Sequence, residues 1–80
     1  MSDTTYEQLV EILRKLHDAP ADRIRPEATL GVLDVDSLTT VEISIRIERD
    51  LGVAVGDEEL RPDRTLADIA GLIDARQAAV

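Results

Sequence analysis

The stretch that decides the fold of this chain is residues 33–42, LDVDSLTTVE. Within it, Asp36 stands directly before Ser37 and before a run whose apolar residues recur at helical spacing. An aspartate at this point can accept hydrogen bonds from the free amide groups of a helix's first turn. The stretch therefore predicts a helix over residues 37–50, with Asp36 as its N-cap. Gly52 follows as a suitable left-handed terminator.

The predicted helix carries apolar residues on two opposite faces when successive residues are placed about 100° apart. One face holds Ile43, Ile47 and Leu51. The opposite face, the docking stripe, holds Leu38, Val41 and Ile45. A small core buries one face, so the other lies in water, and an exposed apolar stripe is commonly a site of protein association. The flanking carboxylates of Asp36, Glu42 and Glu48 would steer a basic partner toward it. A bundle that wraps the whole helix is the alternative.

Upstream of this helix, the sequence predicts another helix and a long loop. Thr4 followed by Glu7 resembles a capping box ahead of apolar residues at helical spacing. This pattern predicts a first helix over residues 4–17, which Asp18-Ala19-Pro20 ends because proline has no backbone donor. Irregular apolar spacing over residues 20–35 predicts a loop. The side chains that would pin this loop to the core are Ile24, Leu30, Leu33 and Val35.

Downstream, two further segments are predicted. The acidic run Asp57-Glu58-Glu59-Leu60, which Pro62 closes, indicates a third helix that is short at best. Thr65 with Asp68 resembles a second capping pair. The apolar periodicity that follows predicts a last helix over residues 66–77.

The composition limits what this chain can do. Eighty residues allow one hydrophobic core, with little interior in which to enclose an active site. There is no cysteine, so the chain brings no thiol or thiolate metal ligand of its own. Hydrophobic residues make up 44% of the chain but Tyr6 is the one aromatic residue, which favours helices packed through aliphatic side chains. We therefore expect an all-α domain rather than a self-sufficient enzyme.

The charge indicates the kind of partner. Seventeen acidic residues against nine basic ones give a formal net charge of −8. This charge repels nucleic acid phosphate and anionic lipid and attracts basic protein surfaces. The first thirty residues are interrupted by charges, so they contain neither a signal peptide nor a membrane span. We expect a cytoplasmic monomer that binds basic protein surfaces and neither nucleic acid nor membrane.

The stretch 33–42 resembles the modification motif of acyl carrier proteins, in which the serine of an Asp-Ser-Leu tripeptide bears phosphopantetheine. The tripeptide alone is a weak signal. The resemblance extends over nearly the whole chain, however, through the long first loop, Leu51-Gly52-Val53 after the second helix and the acidic residues 57–59. It implies a small four-helix bundle of acyl-carrier type, with a long first loop and a short third helix, in one domain of residues 1–80.

The same resemblance implies that Ser37 is the attachment point of a covalent 4'-phosphopantetheine arm, with Asp36 and Leu38 completing the motif. A helix start suits the phosphodiester formed there, because free amides and the helix dipole favour an anion. The chain would be a carrier, and its partners would be a phosphopantetheinyl transferase and acyl-loading and acyl-processing enzymes with basic docking patches. The implied partner surface comprises Leu38, Val41, Glu42, Ile45, Glu48, Asp57, Glu58 and Glu59.

Departures from the family pattern bear on the pathway. Asp34 stands where relatives often have glycine, and Arg46 and Arg49 put positive charge on a helix that is more uniformly acidic in fatty-acid carriers. We therefore expect a discrete carrier of polyketide-type or related secondary metabolism. Fatty-acid synthesis and aminoacyl or D-alanyl carriage are the alternatives. An unmodified acidic helical adaptor is an alternative of another class.

Other interpretations of these residues fit less well. A calcium loop beginning at Asp34 would need glycine and glutamate at its sixth and twelfth positions, where Thr39 and Ile45 stand. His17 is the only histidine and has no cysteine with which to share a metal ion, so we interpret it as a helix-terminal charge. Ser37 lacks the surrounding glycines of a hydrolase nucleophile elbow. We expect no metal site and no catalytic residue.

Overall fold

The computed structural model describes residues 2–17 and 21–78 and places them in three α-helices and two 3₁₀ turns. The helices are α1 (Ser2–Leu16), α2 (Ser37–Leu51) and α3 (Leu66–Ala78). The 3₁₀ turns are Ala21–Arg23 and Asp57–Glu59. The described chain is all-helical, as the sequence predicts.

The short third helix of the predicted four-helix bundle is a single 3₁₀ turn. Leu60, directly after it, is buried and has left the helical conformation (φ −92°, ψ 63°). Val55 is buried two residues before the turn. With both ends anchored in the core, only residues 56–59 remain between them, and Asp57–Glu59 form the single turn for which there is room.

The ends of the long helices lie close to the predicted residues. α2 and α3 each extend one residue beyond the prediction. α1 begins two residues earlier than predicted, so Thr4 lies inside its first turn and is not its N-cap. Ser2, Asp3 and Thr4 are all residue types that favour helix starts, so residue type alone does not decide at which of them the helix begins. The predicted stop at 18–20 lies outside the described residues.

The predicted helix caps of α2 and α3 are confirmed. The Thr39 amide donates to the Asp36 carboxylate (2.8 Å), and Gly52 ends α2 at φ 73° with its amide bonded to the Glu48 carbonyl oxygen. At α3 the Asp68 amide donates to the Thr65 hydroxyl oxygen (3.0 Å). The Thr65 amide reaches the Asp68 carboxylate in return (3.4 Å).

The core is aliphatic, and the loops contribute to it as well as the helices. Buried residues from the helices include Leu9, Ile12, Leu13, Ile43, Ile47, Leu66, Ile69 and Ile73. Buried residues from the connections are Ala28, Leu30, Leu33, Val53, Val55 and Leu60. Leu30 and Leu33 thus pin the first loop as predicted, and Ile24 and Val35 pack against the core while partly exposed.

The two long connections are bonded to each other through their backbones. The amides of Leu30 and Gly31 donate to the carbonyl oxygens of Arg64 and Pro62 (3.2 and 2.9 Å). The Leu66 amide donates to the Ala28 carbonyl oxygen (2.9 Å). These bonds place the loop that leads into α2 directly beside the segment that leads into α3.

Two positions in the first loop, Gly31 and Asp34, have backbone requirements that few residue types satisfy. A Cβ on Gly31 would lie 3.1 Å from the carbonyl oxygen of Pro62, so the close approach of the two connections favours glycine there. Asp34 adopts a left-handed conformation (φ 58°), which glycine takes freely and aspartate tolerates better than most residues. Asp34 therefore takes a conformation that a glycine at this position would also allow.

Arg76 fastens the Asp57–Glu59 turn to α3. Its guanidinium donates from Nη1 to Glu59 Oε2 (2.8 Å) and to the Ala54 carbonyl oxygen (2.6 Å), and from Nη2 to Glu59 Oε1. The Gly56 amide donates to the same carboxylate (3.0 Å). The bonds from Arg76, and secondly the bond from Gly56, lower the pKa of Glu59 from 4.5 to about 2.

We expect this ion pair to make stability depend on pH through Glu59. Because the folded-state pKa lies below the ordinary one, the stabilisation is complete above about pH 4.5 and is lost as the pH falls toward about 2. Glu59→Gln should therefore lower the urea midpoint at neutral pH, and its difference from the parent chain should shrink over that pH range. Glu48→Gln, at an exposed carboxylate of α2, is the control and should leave the midpoint unchanged. A Glu59→Gln difference that is constant across the range would contradict this role for the ionised carboxylate.

Candidate functional site

Ser37 is the first residue of α2, and its side chain is exposed. Asp36, the residue before it, has extended backbone angles and is the N-cap of α2. The chain thus leaves the core at the buried Leu33 and enters the helix after Asp36. The hydrogen bond from the Thr39 backbone amide is the largest cause that lowers the pKa of Asp36 below its ordinary value. The Asp36 carboxylate is therefore ionised at neutral pH. Its bond to Thr39 fixes the start of α2, where the Ser37 hydroxyl lies.

The loop before Ser37 is also held by His17, at the end of α1. Its Nε2 lies 2.6 Å from the carbonyl oxygen of Leu33, so the end of α1 is tied to the loop four residues ahead of Ser37. We predicted only a helix-terminal charge at His17. The bond to Leu33 shows a structural role that the sequence pattern did not indicate, because the two residues meet only through the fold.

Ser37 opens on a groove of about 400 Å³ between the start of α2 and the segment that follows the Asp57–Glu59 turn. This attachment groove is lined by Val35, Asp36, Ser37, Thr40, Asp57, Glu58, Leu60, Arg61 and Pro62. Its lining combines three apolar side chains, three carboxylates and one guanidinium. An exposed hydroxyl beside an open groove can accept a bulky substituent without displacing a buried group. The residues present therefore fit a covalently attached arm at Ser37.

The docking stripe is exposed along its whole length. Leu38, Val41 and Ile45 are 70%, 40% and 58% exposed, whereas Ile43 and Ile47 on the other face are 1% and 0% exposed. The predicted division of α2 into a core face and a water face is confirmed. The alternative of a fully buried helix is therefore excluded.

The carboxylates that the sequence predicts on the partner surface or in the motif fall into three groups. Asp36, Asp57 and Glu58 line the attachment groove with Ser37. Glu42 and Glu48 are exposed further along α2. Glu59 differs from these five residues, because its carboxylate is bound to Arg76 within the fold. The sequence could not reveal this pair, since its partners are separated by 17 residues.

Val32 and Arg61 are two exposed residues that no sequence pattern indicated. Val32, five residues before Ser37, is 59% exposed between the buried residues Leu30 and Leu33. Its loop has no regular period, so no pattern marked it as outward-facing. Arg61 lines the attachment groove only because the connection after α2 folds back beside Ser37.

The described residues offer neither a metal-binding cluster nor a membrane-spanning helix. Among residues 2–17 and 21–78, no three histidine, cysteine, aspartate or glutamate side chains are grouped closely enough to hold a metal ion. None of the helices in this part of the chain has the length and apolarity needed to span a bilayer.

Comparisons with known proteins point to one family. The family profile described as "Phosphopantetheine attachment site" matches residues 7–73. The chain is 33% identical over 66 residues to an acyl carrier protein of Thermobifida fusca, which covers 81% of this chain and 84% of that protein. It is 35% identical over 66 residues to the meromycolate extension acyl carrier protein of Mycolicibacterium smegmatis, covering 81% of this chain and 67% of that protein.

A further similarity is to a much longer protein. The chain is 33% identical over 75 residues to the orsellinic acid synthase of Beauveria bassiana, which covers 92% of this chain and 3% of that protein. No solved structure shows a significant match.

The assignment of the two faces of α2 predicts a large difference between two substitutions. Ile47→Ala should lower the free energy of unfolding by about 2–5 kcal/mol, because it leaves a cavity in a packed core. Ile45→Ala should cost less than about 1 kcal/mol, since its side chain is already in water and alanine favours helix. Urea unfolding followed by circular dichroism measures both. Equal losses in the two variants would mean that Ile45 belongs to the core.

Proposed function

Because this chain belongs to the acyl carrier protein family, we propose that Ser37 carries its phosphopantetheine arm and that acyl intermediates travel on that arm between partner enzymes. The chain is a carrier rather than an enzyme, and its 4'-phosphopantetheine is covalently bound. When attached, the arm supplies a terminal thiol for thioester formation, which a chain without cysteine lacks.

The observation that carries the proposal is the position of Ser37. It is the exposed first residue of a capped helix, lies in an Asp-Ser-Leu tripeptide and faces an open groove. An exposed hydroxyl is accessible to a modifying enzyme. The helix start also stabilises the negative charge that modification introduces, because unpaired amides and the helix dipole point toward it.

The docking stripe and the carboxylates around it support an interaction surface for these partners. Leu38 begins the stripe directly beside Ser37, so a partner that covers the stripe brings its active site close to the attachment point. The exposed carboxylates Asp36, Glu42, Glu48, Asp57 and Glu58 complement a basic patch. We propose the phosphopantetheinyl transferase and acyl-processing synthase enzymes as the partners. Glu59 is left out of this surface because Arg76 binds it.

For the pathway, we favour polyketide-type metabolism. The similarity to orsellinic acid synthase spans 92% of this chain and supports that assignment. Arg46 and Arg49 on α2 support it too, although Arg46 is paired with Asp50 at 3.3 Å. The similarity to meromycolate extension carriers favours a long-chain fatty-acyl carrier as the second candidate. Mass spectrometry of the natively loaded protein would distinguish the two cargoes.

Substitution of Ser37 tests the attachment point. Ser37→Ala should abolish the gain of one phosphopantetheine mass when the chain is treated with coenzyme A and a competent transferase, while helicity is retained. Ser44→Ala is the matched control, because Ser44 lies on the same helix with its hydroxyl bonded to the Val55 carbonyl oxygen (2.5 Å). It should be modified like the parent chain. Modification of the Ser37→Ala variant would contradict the assignment and point to another site.

Charge reversal tests the acidic surface. Glu42→Lys with Glu58→Lys should reduce the association rate with the transferase by roughly tenfold at low salt, and raising the salt should slow the parent chain in the same way. Ions at about 0.15 M screen charges over about 8 Å, so salt mainly weakens the long-range attraction that speeds the encounter. The dissociation rate should therefore change less than the association rate. Glu7→Lys with Glu11→Lys on α1 changes the net charge equally and is the control. Stopped-flow rates that fall equally in both double variants would show that net charge alone steers the encounter.

A further inference from the structure

The attachment groove contains one positive charge among its acidic side chains. Arg61 is the single basic residue among the described residues that line it, together with the acidic residues Asp36, Asp57 and Glu58. An arginine in this place has no role in the core, since its side chain is largely in water. Its position beside Ser37 needs another explanation.

The backbone around Arg61 is held firmly while its side chain is free to change partner. Leu60 before it is 2% exposed, and the carbonyl oxygen of Pro62 after it accepts the Gly31 amide. The guanidinium itself contacts Asp63, with Nη2 3.1 Å from Oδ2 and the two side chains 63% and 69% exposed. An ion pair as exposed as this one contributes little stability and is easily exchanged.

We propose that Arg61 is a built-in binding group for the phosphodiester on Ser37, releasing Asp63 once the arm is attached. The inference rests on the proposed attachment at Ser37. A guanidinium can donate two parallel N–H bonds to a phosphate, and Arg61 is the one positively charged side chain in the lining that can add them to the stabilisation from the helix start. Asp36, Asp57 and Glu58 repel the phosphodiester from the other positions of the groove. Arg61 therefore decides where the near end of the arm lies.

This contact biases the arm toward the segment after the Asp57–Glu59 turn. Leu60 and Pro62 flank Arg61 and line the groove with apolar surface. The docking stripe begins at Leu38 on α2 and is not part of that lining. Arg61 thus keeps the stripe clear for a partner, whose own basic patch can compete for the same phosphodiester.

The experiment compares the apo and modified forms of the full chain by NMR, with mass spectrometry confirming a single modification of each sample. In the parent chain, modification should shift the Arg61 Nε–Hε resonance and leave that of Arg49 in place. The ³¹P resonance of the modified, folded chain should differ from that of the same chain unfolded in urea. Arg61→Gln should reduce that difference by at least half. Arg49→Gln, which removes an exposed charge of α2 outside the groove, should not.

A second variant makes the test independent of any effect of Arg61→Gln on folding. Asp63→Asn removes the competing partner of Arg61, so it should preserve or enlarge the ³¹P difference and the Arg61 shift. If parent and Arg61→Gln chains are both modified but share one ³¹P shift, the inference is overturned while the attachment at Ser37 stands. If the parent chain is not modified at Ser37, both the proposed function and this inference fail.

Discussion

The backbone hydrogen bonds between the two long connections are the constraint on which the site depends. Because Leu30 and Gly31 donate to Arg64 and Pro62, the loop that leads into α2 cannot move apart from the segment that leads into α3. Ser37 and the attachment groove lie where these segments meet. The connections also bury side chains such as Leu33, so much of the core of this small domain depends on the same contact.

α2 serves two purposes because its two faces are separated so completely. Burial of Ile43 and Ile47 fixes the rotation of the helix, and that rotation leaves Leu38 and Ile45 in water. A carrier benefits from this arrangement, since the residues that hold the helix in the fold are not those that a partner would cover. Substitutions on the exposed face should therefore cause no large loss of stability.

The acidic character of the chain is divided between internal and external roles. The carboxylate of Glu59 is used by Arg76 to hold the Asp57–Glu59 turn, and Asp36 caps α2. Asp57 and Glu58 remain exposed at the groove, directly beside that internally used residue. Neighbours in one acidic run thus differ in whether their carboxylates are bound within the fold, and this depends on what the fold places opposite each side chain.

The sequence by itself determined the local features of this protein: the caps at Asp36 and Thr65, the left-handed end at Gly52, and the two faces of α2. These features depend on residues within about one or two helical turns of each other, so periodicity and residue type are sufficient to predict them. Only the tertiary structure decided that the third helix is one 3₁₀ turn, that Glu59 binds Arg76, and that Arg61 lies in the groove of Ser37. Each of these depends on segments far apart in the chain, whose meeting is set by core packing and by the bonding of the two connections rather than by any local pattern.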